Sequence, residues 1–131
     1  MDALGRIAFA AVGFALIVGI LLLVWRNPQP EVVAVDNFID ALAKQDFTQA
    51  YALLDDDLQL YYRTPAGLET DVRDRQFHPV TWNARQDVSS RDYRYDAVTV
   101  RVKLSDGRTV ISRFSVRSNS EKQLRISSIR F

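Results

Sequence analysis

The sequence predicts an α+β protein in which a membrane-spanning helix precedes a small domain of two to three helices packed on a curved antiparallel sheet of about four strands. Three features of the 131 residues support this fold class. An uncharged apolar run occupies residues 7–25, apolar side chains then recur every three or four residues, and from residue 80 onward they recur every second residue. The chain therefore divides into a tail (1–6), a transmembrane helix (7–26), a linker (27–30) and one domain (31–131).

The apolar run reads IAFAAVGFALIVGILLLVW and contains no charged, amide or hydroxyl side chain. As a helix it extends about 28 Å, which matches the roughly 30 Å hydrocarbon core of a bilayer. A cleaved signal peptide is the alternative, but the run is longer than a typical signal segment and no small-x-small cleavage pattern follows it. Ala11, Ala15 and Gly19 share one helical face, where small residues allow another membrane helix to pack closely.

We therefore expect a single-pass protein of the cell membrane (plasma or inner), with the lipid bilayer and other integral membrane subunits as its partners. Arg6 and Arg26 flank the two ends of the span, so the charges alone do not fix its orientation. The commoner arrangement keeps a short N-terminal tail inside and places the C-terminal domain on the extracytoplasmic side. Pro28 and Pro30 stiffen the linker and hold the domain near the headgroups.

Acidic and basic side chains are separated along the domain. Residues 31–74 contain ten acidic and three basic side chains, whereas residues 75–131 contain five acidic and twelve basic ones. The domain is therefore neutral as a whole, which argues against general binding of nucleic acid. The separation indicates two faces with different partners, or else reflects only the preference of acids for helix starts and of bases for exposed strands.

The first half of the domain has helical periodicity. Apolar side chains recur at three- and four-residue steps after Pro30, at Val32, Val35, Phe38, Ile39 and Leu42. Asp46 is a candidate N-cap for a second helix over residues 47–54. The three aspartates at 55–57 interrupt that helix and can cap a further turn, and a short third helix is predicted from about Pro65 to Asp74.

The second half alternates between apolar and polar side chains, as strands with one buried face do. The inward set is Val80, Trp82, Ala84, Val88, Val98, Val100, Val102, Leu104, Val110, Phe114, Val116, Leu124 and Ile126. A three-residue loop at 105–107 keeps the apolar faces aligned, pairs Val102 with Val110 and requires a left-handed Gly107. A similar loop near residue 120 pairs Val116 with Leu124, Phe114 with Ile126 and Ser112 with Ser128.

This register predicts two groups of candidate binding residues. The outward group is basic and would contact anionic headgroups or an acidic partner, or would serve only solubility and edge protection: Arg101, Lys103, Arg113, Arg117 and Arg125. The inward group would line a small pocket, or would simply fill the core: Tyr51, Tyr61, Tyr62, Trp82, Ser112 and Ser128.

No set of residues matches a catalytic or metal-binding motif. His78 is the one histidine, it has no flanking carboxylate, and a surface or capping role explains it better than acid–base catalysis. The aspartates at 55–57 lack the spacing of a calcium loop, and the chain has no cysteine for structural zinc or a disulfide. The sequence therefore predicts a protein that is not an enzyme and that has no metal or cofactor.

The segment NFIDALAKQDFTQAYALLDDDLQ resembles the opening of nuclear transport factor 2-like domains, with an aspartate that caps the second helix and a tyrosine-rich turn after it. The order of helices followed by a meandering sheet extends the resemblance over residues 31–131. The resemblance implies a cone-shaped fold that encloses a cavity, but it implies no single activity, because function is not fixed by fold. Similar domains behind one membrane span occur in small anchored proteins and in periplasmic subunits of type IV secretion machines.

Three functional hypotheses follow from these features. In the first, the chain is a non-catalytic accessory subunit of a larger membrane complex and docks through its transmembrane helix and its globular head. In the second, it is a membrane-tethered binding module whose cone holds a small apolar ligand or lipid. In the third, it is a periplasmic-type subunit of a secretion machine, which is a special case of the first.

Overall fold

The computed structural model describes residues 29–86 and 96–131, which contain four helices followed by four strands. The helices are α1 (Pro30–Ala43), α2 (Phe47–Ala52), α3 (Asp56–Tyr62) and α4 (Pro65–Asp74). The strands are β1 (Pro79–Gln86), β2 (Asp96–Leu104), β3 (Thr109–Ser118) and β4 (Leu124–Arg130). The predicted α+β class of the domain is confirmed, with one helix more than the two to three predicted.

The predicted transmembrane helix, with Ala11, Ala15 and Gly19, lies outside the described residues, as does Val88. Among the helices that the structure describes, none combines the length and the apolar character that a membrane crossing needs. The first described helix begins at Pro30, the last residue of the predicted linker.

Polar side chains cap the starts of three helices. The Asp46 and Asp55 carboxylates accept hydrogen bonds from backbone N–H groups three residues later, at 3.2 and 3.0 Å, and the Thr64 hydroxyl does the same at 3.1 Å. The predicted Asp46 cap is therefore confirmed. The predicted turn after the aspartates is a separate helix, α3, because Asp55 satisfies the free N–H groups at its start.

The four strands form one antiparallel sheet in the order β1-β2-β3-β4. The predicted pairing of Val102 with Val110 is confirmed, together with the rest of the β2–β3 register. Gly107 has a φ of 89°, a left-handed value that glycine adopts without a steric penalty. Its N–H donates to the Leu104 carbonyl oxygen at 3.0 Å and closes the short loop.

The predicted β3–β4 register is wrong. Val116 pairs with Ile126, and Ser128 pairs with Ser115, so none of the predicted pairs forms. The loop between the strands spans residues 119–123, where the Asn119 carboxamide oxygen accepts two backbone N–H groups and stabilises the longer turn. In addition, β4 has one residue more than β3 at the register shift next to Ser115. After this bulge, the side chains of β4 that simple alternation would place inside point outward, and the others point inward.

The core lies between the helices and one face of the sheet. Phe38 of α1 meets Phe114 of β3 edge to face, with ring centroids 5.9 Å apart, and both side chains are fully buried. Val80, which was predicted to face inward, is instead 57% exposed. The register of β1 shifts between Pro79 and Thr81, and this irregularity turns Pro79 inward and Val80 outward.

The segment between α2 and α3 joins the helical layer to the edge of β4. Leu54 forms a parallel bridge with Ile126, whose N–H donates to the Leu53 carbonyl oxygen at 2.9 Å. The Asp55 N–H returns a hydrogen bond to the Ile126 carbonyl oxygen at 2.8 Å. Because neighbouring residues of an extended segment point to opposite faces, Leu54 enters the core and Asp55 reaches towards the outer side of the sheet.

Candidate functional site

The outer face of the sheet, away from the helices, is strongly basic. Direct cross-strand partners point to the same face of an antiparallel sheet. The pairing therefore places seven basic side chains together, and we call them the basic sheet face: Arg85, Arg101, Lys103, Arg113, Arg117, Arg125 and Arg130. The structure thus brings together all five bases that the sequence singled out. Arg130 was missed because the bulge in β4 turns it outward, against simple alternation.

The centre of this face consists of two adjacent cross-strand rows. The first row holds Arg85, Thr99, Arg113 and Arg130, and the second holds Asn83, Arg101 and Ile111. Arg113 and Arg130 are direct partners, and like charges in that arrangement weaken a sheet. Among the side chains that the structure describes, no acidic group forms an ion pair with these arginines.

The two rows surround a trough of about 320 Å³ on the sheet surface, which we call the arginine trough. Its walls are Asn83, Arg85, Thr99, Arg101 and Ile111. Two guanidinium groups, one amide and one hydroxyl supply hydrogen-bond donors, and guanidinium groups bind oxyanions in a planar, bidentate geometry. Ile111 is 63% exposed and gives the trough one apolar wall. The arrangement suits an oxyanion with an apolar group beside it.

Arg117 differs from the other bases because acidic side chains neutralise it. Its guanidinium lies 3.1 Å from a carboxylate oxygen of Asp55 and 3.7 Å from one of Asp57. The Asp55 side chain is only 6% exposed, and its other carboxylate oxygen caps α3. Arg117 therefore fastens the helical layer to the sheet, and its charge contributes little to the outer surface.

The tyrosines predicted to line a pocket serve separate roles. The Tyr51 hydroxyl lies 3.1 Å from two carbonyl oxygens, that of Gln59 within α3 and that of Arg63 directly after it. Tyr61 is 73% exposed. The Tyr62 hydroxyl donates to the Asp71 carboxylate at 2.7 Å, and burial together with this carboxylate raises the pKa of Tyr62 above its usual range. These contacts hold α2, α3 and α4 to one another.

The predicted pocket around the two serines does not assemble. Ser128 is exposed, and its hydroxyl lies 3.2 Å from that of Ser115, because the bulge in β4 moves it away from Ser112. Ser112 is fully buried, and its hydroxyl has no hydrogen-bond partner within the described part of the chain. Trp82 packs against the core, and burial raises the pKa of the Asp36 carboxyl while the neighbouring Trp82 partly lowers it.

The residues considered for catalysis or metal binding have other surroundings. His78 is exposed in the short segment before β1. Asp55 is occupied by the cap of α3 and by Arg117. In residues 29–86 and 96–131, no cluster of three or more acidic, histidine or cysteine side chains is suited to hold a metal ion.

Comparison of the chain with models of protein families, with curated proteins and with solved structures found no match. The chemistry of the described surfaces therefore has to indicate what the domain can bind. Of these surfaces, the basic sheet face shows the largest concentration of unpaired charge.

Proposed function

We propose that the chain is a non-catalytic, single-pass accessory subunit of a larger membrane complex. Its transmembrane helix packs against other integral subunits, and its domain, on the extracytoplasmic side, docks the basic sheet face onto an acidic surface of a neighbouring subunit. The observation that carries this proposal is the set of exposed arginines at the centre of that face, which has no acidic partner among the described side chains.

The distribution of charge supports a partner of different composition. Every acidic side chain of residues 31–74 lies on the helices or in their caps, and of these Asp55 and Asp57 reach the basic sheet face, at Arg117. Two copies that met sheet to sheet would place arginines against arginines, which is unfavourable. An acidic partner surface would instead relieve this repulsion and would guide the approach of the two proteins.

The alternative of a ligand held between helices and sheet has one supporting observation, the buried hydroxyl of Ser112, which has no hydrogen-bond partner among residues 29–86 and 96–131. The contact between Phe38 and Phe114 fills much of the same layer and weakens this alternative. A periplasmic-type secretion subunit would use the same docking face, so this third hypothesis makes the same predictions about the surface.

Extraction in a gentle detergent followed by native electrophoresis tests the proposal. We expect the chain to stay in the membrane fraction after carbonate washing and to migrate within a larger complex.

The double variant Arg101→Glu, Arg113→Glu should release the chain from this complex. A matched control, Arg73→Glu with Arg108→Glu, reverses two bases outside the basic sheet face, both paired with acids, and should not. Migration of the unaltered protein as a free 15.0 kDa monomer would contradict the proposal.

A further inference from the structure

We infer that two copies of this chain pair through the free edge of β1, antiparallel and centred on Asn83, so that two four-stranded sheets become one continuous sheet. This contact goes beyond the proposed function, because it uses the edge of the sheet and leaves the basic sheet face open. Three features of β1 support it: backbone groups that no described residue pairs with, a strand sequence that complements itself, and a charge that self-pairing keeps apart.

The two edges of the sheet differ in what covers them. At the β4 edge, Ile126 exchanges backbone hydrogen bonds with Leu53 and Asp55, at 2.9 and 2.8 Å. At the β1 edge, no backbone segment within residues 29–86 and 96–131 pairs with the strand on the side away from β2. An open strand edge is a template on which a further strand can add. The sheet can therefore be extended at β1.

The hydrogen bonds of β2 show which backbone groups of β1 point to this free edge. The Leu104 N–H donates to the Arg108 carbonyl oxygen, so the backbone groups of Leu104 point towards β3. Because these groups alternate in direction along a strand, those of Arg101 point towards β1, where its partner is Asn83. Alternation then directs the N–H and C=O groups of three residues of β1 to the free edge: Trp82, Ala84 and Gln86.

The side chains of β1 complement themselves in one antiparallel register. When the pairing is centred on Asn83, Trp82 of each copy lies opposite Ala84 of the other. These residues exchange backbone hydrogen bonds, and a large side chain lies beside a small one. On the outer face, Arg85 lies opposite Thr81 of the other copy. The two Arg85 residues are then four positions apart along the strands, or about 13 Å.

The neighbouring registers are less favourable. Centring the pair on Ala84 brings Arg85 of the two copies to diagonal positions about 7–8 Å apart, where long side chains of like charge reach each other. Centring it on Trp82 places Arg85 opposite Pro79, where the register shift interrupts the regular strand. The strand PVTWNARQ contains no acidic residue, and Arg85 is its one charge. The position of this charge therefore favours the register centred on Asn83.

Pairing at this edge keeps the basic sheet face available to a partner. A two-fold axis normal to the sheet leaves both helical layers on one side and both basic sheet faces on the other. Arg101 of one copy lies three strand spacings from Arg101 of the other, or about 14 Å. The contact therefore avoids the opposition of arginines that a face-to-face dimer would create, and it places two basic faces side by side.

Cysteine cross-linking of the full chain tests the contact, since the chain contains no cysteine of its own. Asn83 and its copy form a pair without mutual hydrogen bonds, with Cα atoms about 4.5 Å apart, and a disulfide can span this distance. We expect Asn83→Cys, extracted in gentle detergent and oxidised with copper phenanthroline, to give a reducible dimer of two 15.0 kDa chains. Ile111→Cys, which is exposed on the same face but lies on β3, should give none.

Two further cysteines test the alignment. Thr81→Cys and Arg85→Cys should each give no dimer alone, and should cross-link to each other when the two variants are coexpressed. Ala84→Pro removes an N–H that points to the free edge, a position where a strand tolerates proline. It should abolish the Asn83→Cys dimer and leave the far-ultraviolet circular dichroism spectrum unchanged.

Several outcomes would overturn the inference. These are no dimer from Asn83→Cys, equal dimer formation from Ile111→Cys, or an Asn83→Cys dimer that persists with Ala84→Pro. A cross-link from Asn83→Cys to a different protein would also overturn it, because an unrelated strand would then occupy the edge. The acidic partner of the proposed function is tested separately, by charge reversal on the basic sheet face, so either proposal can fail alone.

Discussion

At the scale of single residues, Arg113 and Arg130 form a cross-strand pair of like charges that lowers the stability of the sheet. Their direct pairing costs free energy, because like charges oppose each other across two strands. We predict that Arg130→Thr raises the free energy of unfolding by about 0.5 kcal/mol. Thermal unfolding of the full chain in nanodiscs, followed by near-ultraviolet circular dichroism, measures this change.

The control for that prediction is Arg73→Thr. Arg73 forms an ion pair with Glu69 on the surface of α4, so its removal should leave stability unchanged or slightly lower. A decrease in stability for Arg130→Thr as large as that of the control would show that the arginine pair is not strained.

Asp55 connects three parts of the molecule through one nearly buried carboxylate. It caps α3, pairs with Arg117, and continues the segment that bridges to β4. We predict that Asp55→Ala lowers the free energy of unfolding by about 2 kcal/mol, because the cap and the charge partner are lost together. Asp55→Asn, which keeps an acceptor for the cap, should cost less.

Asp56→Ala is the matched control for Asp55, since Asp56 is exposed in the first turn of the same helix. Its loss removes only a favourable interaction with the helix dipole and should cost about 0.5 kcal/mol. Equal effects of the two alanine variants in the same unfolding experiment would mean that Asp55 does not join the layers.

At the scale of elements, the β2–β3 loop is a place where a substitution changes stability through backbone conformation and not through side-chain contacts. Gly107 has a φ of 89°, and a side-chain carbon added there would meet nothing within 4 Å. We therefore predict that Gly107→Ala costs about 1 kcal/mol through backbone strain, and that Gly107→Asn costs less, because asparagine tolerates left-handed angles. Unfolding midpoints of the two variants measure this, and an unchanged midpoint for Gly107→Ala would contradict the assigned loop.

The elements that the sequence predicted correctly are those with strong local signals. Asp46 marked a helix start through its capping chemistry, and Gly107 marked a loop because only one loop length kept the apolar faces of β2 and β3 aligned. The β4 register failed because a bulge breaks strict alternation. The sequence did contain a sign of the bulge, because Ile126 and Ile129 are both apolar but three residues apart. Side chains three residues apart on a regular strand point to opposite faces.

The bulge in β4 also determines which residues of the basic sheet face could be predicted from the sequence. The bases of β2 and β3 could be placed on the outer face from alternation alone, whereas Arg130 and Ser128 changed faces with the bulge. The arginine trough could not be predicted, because it depends on which residues of β1 lie opposite Arg101 and Thr99. That pairing crosses residues 87–95 and has no short loop to set its register.

At the scale of the whole molecule, the order of elements separates the charges. The acidic half of the domain forms the helical layer and the basic half forms the sheet, so a separation along the chain becomes a separation between two faces. Arg117 and Asp55 form an ion pair where the two layers meet, and the other bases of the basic sheet face point away from the helices. A domain with this polarity has one face suited to an acidic partner.

Site-specific photo-cross-linking in native membranes can show whether the basic sheet face is the one that meets a partner. A photoreactive residue would replace either Ile111, which is 63% exposed on the basic sheet face, or Leu60, which is 75% exposed on the helical layer. We predict that position 111 yields one discrete cross-linked polypeptide, that this product disappears in the Arg101→Glu, Arg113→Glu background, and that position 60 yields none. Cross-linking from position 60 with none from position 111 would contradict the account.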